Sequence, residues 1–138
     1  MSQKVTISVS ELAGRKCASS GSKWEPKMGY SRAVRSGNFI AVTGTVGVNA
    51  DGTYSPLLSD QTRRSLQIIQ AAIEALGGKI EHVIRTRMYV TDVSKWEQVA
   101  AVHGEVFKDI RPATTIVEVS RLIDAEAQIE IEVDAIIP

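Results

Sequence analysis

A chain of 138 residues, 43% of them hydrophobic, can build one core but not two, so residues 1–138 are read as a single domain. Its 16 basic residues balance 16 acidic ones with no lysine- or arginine-rich run, which argues against nucleic acid as a partner, since such binding rests on phosphate neutralisation. No window approaches the roughly eighteen apolar residues of a membrane span, so no membrane association is expected.

In chain order, the opening Met1-Ser-Gln-Lys-Val-Thr-Ile7 lacks the apolar core and small-residue ending of a signal peptide. The lone Cys17 allows no internal disulfide and fits a reducing compartment, so the expected location is cytoplasmic. Tyr30 to Arg35 and Phe39 to Thr43 read as strands separated by the turn Ser36-Gly37-Asn38. After a loop at Asn49-Ala-Asp-Gly52, Ser59-Asp60 offers N-cap candidates for a helix on which Leu66, Ile69, Ile73 and Leu76 recur at steps of three and four, and Gly77-Gly78 ends it. Val83 to Val90 reads as a strand. Ser94-Lys-Trp-Glu97 has capping-box spacing and opens a second helix through Val99, Val102, His103, Val106 and Phe107, closed by Ile110-Arg111-Pro112. Thr114 to Val119 is again a strand. The last run alternates, with Ile129, Ile131, Val133 and Ala135 on one face and Gln128, Glu130, Glu132 and Asp134 on the other.

This order describes an α+β protein, a single sheet with both helices on one face. The other face, where polar residues are interspersed with Val34, Val42, Tyr89 and Val117, is then solvated or covered by another chain. A near-zero net charge makes self-association easier.

Several side chains could carry chemistry. Arg85, Arg87 and Tyr89 project from one face of their strand, where two guanidiniums flanking an aromatic could hold an anionic ligand. Glu118, Glu130 and Glu132 on neighbouring strands could instead pair with them as a ladder. His103 lies on the apolar side of its helix, either as an acid–base group or as a hydrogen-bonded core or interface histidine. Two distant histidines and one cysteine make no zinc set, and Thr43-Gly-Thr-Val-Gly47 lacks the Lys-Ser/Thr of a phosphate loop, so no metal or cofactor is expected.

The last quarter, Arg111-Pro-Ala-Thr-Thr-Ile-Val-Glu-Val-Ser-Arg-Leu-Ile-Asp124 through Gln128-Ile-Glu-Ile-Glu-Val-Asp-Ala-Ile136, resembles the C-terminal signature of the YjgF/RidA family. Met28-Gly-Tyr-Ser-Arg-Ala-Val34 is similar to that family's Gly-Pro-Tyr-Ser-Gln-Ala-Val, and Gly37 to Gly44 to its strand ending in Ser-Gly. Gln61 to Gly78 looks like its first helix and Val83 to Asp92 like its Val-Xaa-Val-Xaa-Asp strand. The resemblance implies a chorismate-mutase-like fold, a mixed sheet backed by two helices, with three copies forming a homotrimer around a central barrel. It also implies small-molecule clefts between subunits, where typical members hydrolyse reactive enamines and imines.

Carried over position by position, the family's pocket tyrosine falls on Tyr30, its Ser-Gly pair on Thr43-Gly44, and the acidic residue that positions the attacking water on Glu130. On the residues alone, Glu130 is equally one of a row of polar groups on a strand face. The arginine that grips the substrate carboxylate in deaminases is replaced by Thr114, and the nearby cysteine by Ile116. An Arg–carboxylate pair contributes about 1.5–3 kcal/mol when partly desolvated, which a threonine hydroxyl does not replace.

Three functions stand as expectations. The first is a hydrolase of imines or enamines lacking the usual amino-acid carboxylate. The second is a non-catalytic trimer holding an anionic metabolite through Arg85, Arg87 and Thr114. The endoribonuclease label attached to the family ranks last, because the neutral charge argues against it.

Overall fold

Alternating apolar residues build one seven-stranded sheet in the computed structural model, which describes residues 3–138. Its strands are β1 (Ser8–Leu12), β2 (Arg15–Ser19), β3 (Ala33–Ser36), β4 (Phe39–Val46), β5 (Val83–Val90), β6 (Ala113–Glu118) and β7 (Ile129–Ile136), in the order β1-β2-β3-β4-β7-β5-β6. Neighbours are antiparallel except β5 and β6, so the sheet is mixed. Three α-helices accompany it among the described residues: α1 (Trp24–Met28), α2 (Leu58–Ala75) and α3 (Trp96–Phe107). The sequence pattern announces α2 and α3 but neither α1 nor the β1–β2 hairpin.

The strict alternation of β7 is realised fully. Ile129, Ile131, Val133 and Ala135 are each at most 1% exposed and meet Ile69, Ala72 and Ile73 of α2 and Val99, Val102 and Phe107 of α3 in one core. Burying side chains of this size contributes about 1.5–3 kcal/mol each. Val42, expected on the open face, instead points into this core at 3% exposure. The open face carries Phe39, Val117 and Ile136, each more than two-fifths exposed. No helix among the described residues is long and apolar enough to cross a membrane.

The helix ends differ in detail from the sequence pattern. Helix α2 begins at Leu58, so that Leu57, with no side-chain cap, stands at its N-cap two residues before the expected Ser59. Ser55 takes over, accepting from the Leu57 amide at 3.2 Å and donating to Asp60 at 2.8 Å. Its far end matches the glycine signal: Gly77 adopts φ +87° and the Gly78 amide returns to the Ile73 carbonyl at 3.0 Å. Before α3, the Ser94–Glu97 capping box gives way to Asp92, whose Oδ1 accepts from the Ser94 amide at 3.1 Å. Helix α3 stops at Phe107, where the Ile110 and Arg111 amides return to the Phe107 carbonyl at 3.0 and 2.8 Å and Arg111 takes the left-handed conformation, φ +57°, while Pro112 keeps the helix from continuing.

One irregularity positions the site. Between Val42 and Thr45 the β4–β7 register shifts, so Thr43-Gly44 carries one extra residue against β7. Such a bulge bends the strand and re-aims its groups.

Candidate functional site

Beside this bulge opens a cavity of about 710 Å³ lined by Tyr30, Arg32, Gly44 and Glu130, with Trp24 of α1 at its rim and Tyr54 and Asp124 from two loops. Glu130 leaves β7 on the sheet face away from α2 and α3 and lies directly over Gly44. A Cβ on residue 44 would fall 2.8 Å from both Cδ and Oε2 of Glu130, so only glycine leaves room for the carboxyl in this pose.

Below the carboxyl, Arg32 is buried at 6% exposure and almost fully committed. Its Nε donates to Ser20 Oγ at 3.1 Å, and its Nη1 donates to the Gly44 carbonyl at 2.9 Å and to Thr45 Oγ1 at 3.2 Å. Its Nη2 lies 3.7 Å from Glu25 Oε2, and its guanidinium sits 5.6 Å from the centre of the Tyr30 ring. Glu25, only 5% exposed, accepts from Ser20 Oγ at 2.7 Å and from the Ser20 and Ser22 amides at 3.2 and 3.3 Å. Its Oε2 thus ties the short helix α1 to the end of β2.

The two carboxyls respond to burial in opposite ways. Burial alone would raise the pKa of Glu25, but its hydrogen bonds from Ser20 and Ser19 and the charge of Arg32 hold it below the ordinary value. Glu130 is pushed above the ordinary carboxylate value, mainly by burial and further by Glu132, with Arg32 pulling the other way. A carboxyl that holds its proton more readily is the stronger base once it has ionised.

The roof is built by loops tied to α2. The Gln61 amide nitrogen donates to the Ser55 and Glu126 carbonyls, both at 2.9 Å, while its Oε1 accepts from the Gln128 amide at 2.8 Å. Tyr54 donates its hydroxyl to Asp124 at 2.6 Å, closing the two loops over the cavity. Burial first, and then Asp124, raise the Tyr54 pKa, so the phenol keeps its proton for that bond. Arg64 on α2, 8% exposed, donates to the Val48 and Gln3 carbonyls at 3.0 and 2.9 Å and holds the N-terminal segment against the wall.

The structure brings together Tyr30, Gly44 and Glu130 of the residues singled out by sequence. Thr43 does not line the cavity; its hydroxyl donates to the Ser31 carbonyl at 2.7 Å. Arg85, Arg87 and Tyr89 lie on the open sheet face outside the cavity, where Arg87 pairs with Asp134 at 3.3 Å and Tyr89 donates to Glu132. Thr114 lies on edge strand β6, on the helix side. Its hydroxyl is 2.7 Å from Thr86 Oγ1, which is itself 2.9 Å from His103 Nε2, and the imidazole stacks on Phe107 at 4.5 Å. His103 is thus a hydrogen-bonded, half-buried histidine, and burial lowers its pKa. Arg32 carries no periodic or compositional signal in the sequence and stands where the family motif it resembles has glutamine. Among the described residues no group of three His, Cys, Asp or Glu side chains is gathered as a metal site.

The family model described as endoribonuclease L-PSP matches residues 21–137. The chain belongs to the YjgF/RidA family. A crystal structure from Mycobacterium tuberculosis, described as a member of the YjgF/YER057c/UK114 family, is 43% identical, with a TM-score of 0.83 over 89% of this chain and 99% of that one. The 2-iminobutanoate/2-iminopropanoate deaminase of Escherichia coli is 32% identical over 78% of this chain and 86% of its own length. An uncharacterized protein of Streptomyces coelicolor is 35% identical over 84% of this chain and 87% of its own.

Proposed function

We propose that the cavity adds water to the C=N carbon of a small imine and releases ammonia. The observation that carries this reading is Glu130, whose carboxyl is half-buried in a cavity beside a bulge and seated over a glycine. As a carboxylate it takes a proton from water while the water oxygen bonds to the imine carbon. Starting from the protonated imine, it then returns that proton to the nitrogen of the tetrahedral adduct and takes the adduct's hydroxyl proton as the C–N bond breaks, so that a carbonyl product and ammonia remain and the last proton passes to solvent. An enamine enters after protonation at carbon. Tyr30, which lines the same cavity, packs against the substrate. The deaminase among the relatives supports the same chemistry.

The functional unit in this reading is a homotrimer with its open sheet faces turned inward around a central barrel. The exposed Phe39, Val117 and Ile136 support that assembly, because burying them removes apolar surface from water. One observation favours a non-catalytic binding module instead: Thr114 is tied to Thr86, and position 114 supplies no cation.

The test uses imines generated in place by an amine oxidase and by an amino-acid oxidase, which cover substrates without and with a carboxylate. Ammonia release above the buffer rate, reduced about 10²–10⁴-fold in Glu130→Gln, is the expected result. Release no faster than buffer from either source, or an unimpaired Glu130→Gln, leaves the binding module as the better reading.

A further inference from the structure

Arg32 and Glu130 both meet Gly44. Arg32 Nη1 donates to the Gly44 carbonyl at 2.9 Å, and the Glu130 carboxyl fills the space where a Gly44 side chain would stand. Arg32 is in turn held by Ser20, Thr45 and Glu25, so its guanidinium is fixed in place rather than free to follow a ligand. We propose that Arg32 is a positioning residue that keeps the Glu130 carboxyl in its proton-accepting form over Gly44, and that Glu25 sets how strongly it does so. This rests on the reading of Glu130 as the proton-transfer group.

The charges around Glu130 make the argument specific. Glu132 lies two residues further along the same face of β7, Tyr89 faces Glu130 from β5, and Tyr54, Asp124 and Glu126 line the same cavity from the loops. These groups are acidic or neutral and burial adds to their effect, while Lys4, Lys23 and Arg64 also line the cavity, Arg64 with its guanidinium committed to the Val48 and Gln3 carbonyls. Arg32 supplies the opposing charge. A glutamine, which the family motif has at this position, could make the hydrogen bond to Gly44 but not supply the charge. Glu25 lies 3.7 Å from the guanidinium on its far side and offsets part of its field. Three donors keep Glu25 ionised, so this offset is a standing one. The pair therefore acts on Glu130 in two directions: Arg32 favours its carboxylate form, and Glu25 offsets part of that effect.

The pair can be tested without any substrate. The Glu130 carboxyl is followed by carbon NMR of protein labelled at the glutamate side-chain carboxyl, with Glu130→Gln used to assign the signal. Arg32→Gln is expected to raise the Glu130 titration midpoint by about one pH unit, and Glu25→Gln to lower it. A purely structural role for the ion pair would loosen α1 in both variants and move the midpoint in one direction or not at all. Either of those outcomes overturns the proposal. If Arg32→Gln does not fold, Glu25→Gln decides alone, since only the electrostatic role predicts a fall. In the catalytic assay the acid limb of the rate profile should move with the NMR midpoint in each variant. Opposite NMR shifts in a protein that releases no ammonia would sustain the coupling and remove the hydrolase reading.

Discussion

The Glu130 carboxyl occupies the volume that a side chain at Gly44 would need, with Cδ and Oε2 both 2.8 Å from the Cβ that any other residue would carry. The obstruction is the end of a flexible side chain, so Gly44→Ala should be accommodated by swinging Glu130 aside rather than by moving backbone. We expect a stability loss of no more than about 1 kcal/mol, together with a loss of ammonia release as large as that of Glu130→Gln. The double variant Gly44→Ala/Glu130→Gln should then be no worse than either single one, the non-additivity of two changes that remove one group. Additive losses would mean that Gly44 acts independently of Glu130.

Gly47 presents the opposite case on the same strand end. A Cβ there would meet the main chain of Gln61, whose Cα and carbonyl carbon lie 2.7 Å away, and no rotamer change relieves that clash. Helix α2 would have to lift from the end of β4, and with it the Gln61 bonds that pin the cavity roof. Gly47→Ala is expected to cost about 2–3 kcal/mol in a urea melt, well beyond Gly44→Ala. Equal midpoints for the two variants would contradict the close approach of α2.

Legibility in the sequence followed local pattern and stopped where tertiary contacts decide. Strands β5 and β7 were readable because alternation is a property of the chain itself, and α2 because its apolar residues recur at helical spacing. Strand β1 was not, since all five of its residues are exposed and nothing selects one face. Helix α1 is five residues long with Pro26 inside it, and depends on Glu25 accepting from Ser20 and Ser22, contacts that exist only once β2 is in place. At the site, Tyr30, Gly44 and Glu130 were legible through motifs. The Tyr54–Asp124 bond joins positions 70 residues apart with no periodic signal, and Arg32 was visible only as a departure from a motif.

Glu130 and His103, two half-buried titratable groups, give stability opposite dependences on pH. Glu130 has its folded pKa raised above its ordinary 4.5, so its contribution is fully present below that value and is lost as pH rises through the folded one. His103 has its folded pKa lowered from 6.5, so the folded state resists protonation and stability is lost as pH falls below that value. His103→Gln, which keeps a partner for Thr86, should therefore gain in melting temperature relative to the parent as pH is lowered from about 7.5 to about 5. Glu130→Gln should gain relative to the parent in the other direction, from about pH 4 towards neutrality. Melting series that run parallel to the parent would show that neither group carries the burial cost assigned to it.

Tyr54 and Asp124 hold the roof by one hydrogen bond of 2.6 Å between a phenol and a carboxylate. Tyr54→Phe keeps the ring and its packing while removing the donor, so a net loss of about 1 kcal/mol is expected for this partly buried bond. The cost should be local, because the Gln61 bonds still pin the neighbouring backbone to α2. Amide hydrogen exchange should accelerate in residues 50–57 and 121–126 while the β7 amides keep the protection of the parent. In turnover, a looser roof weakens substrate retention without touching Glu130, so KM should rise several-fold with kcat changed far less. A fall in kcat at constant KM would instead place the Tyr54 hydroxyl among the groups that meet the reacting atoms.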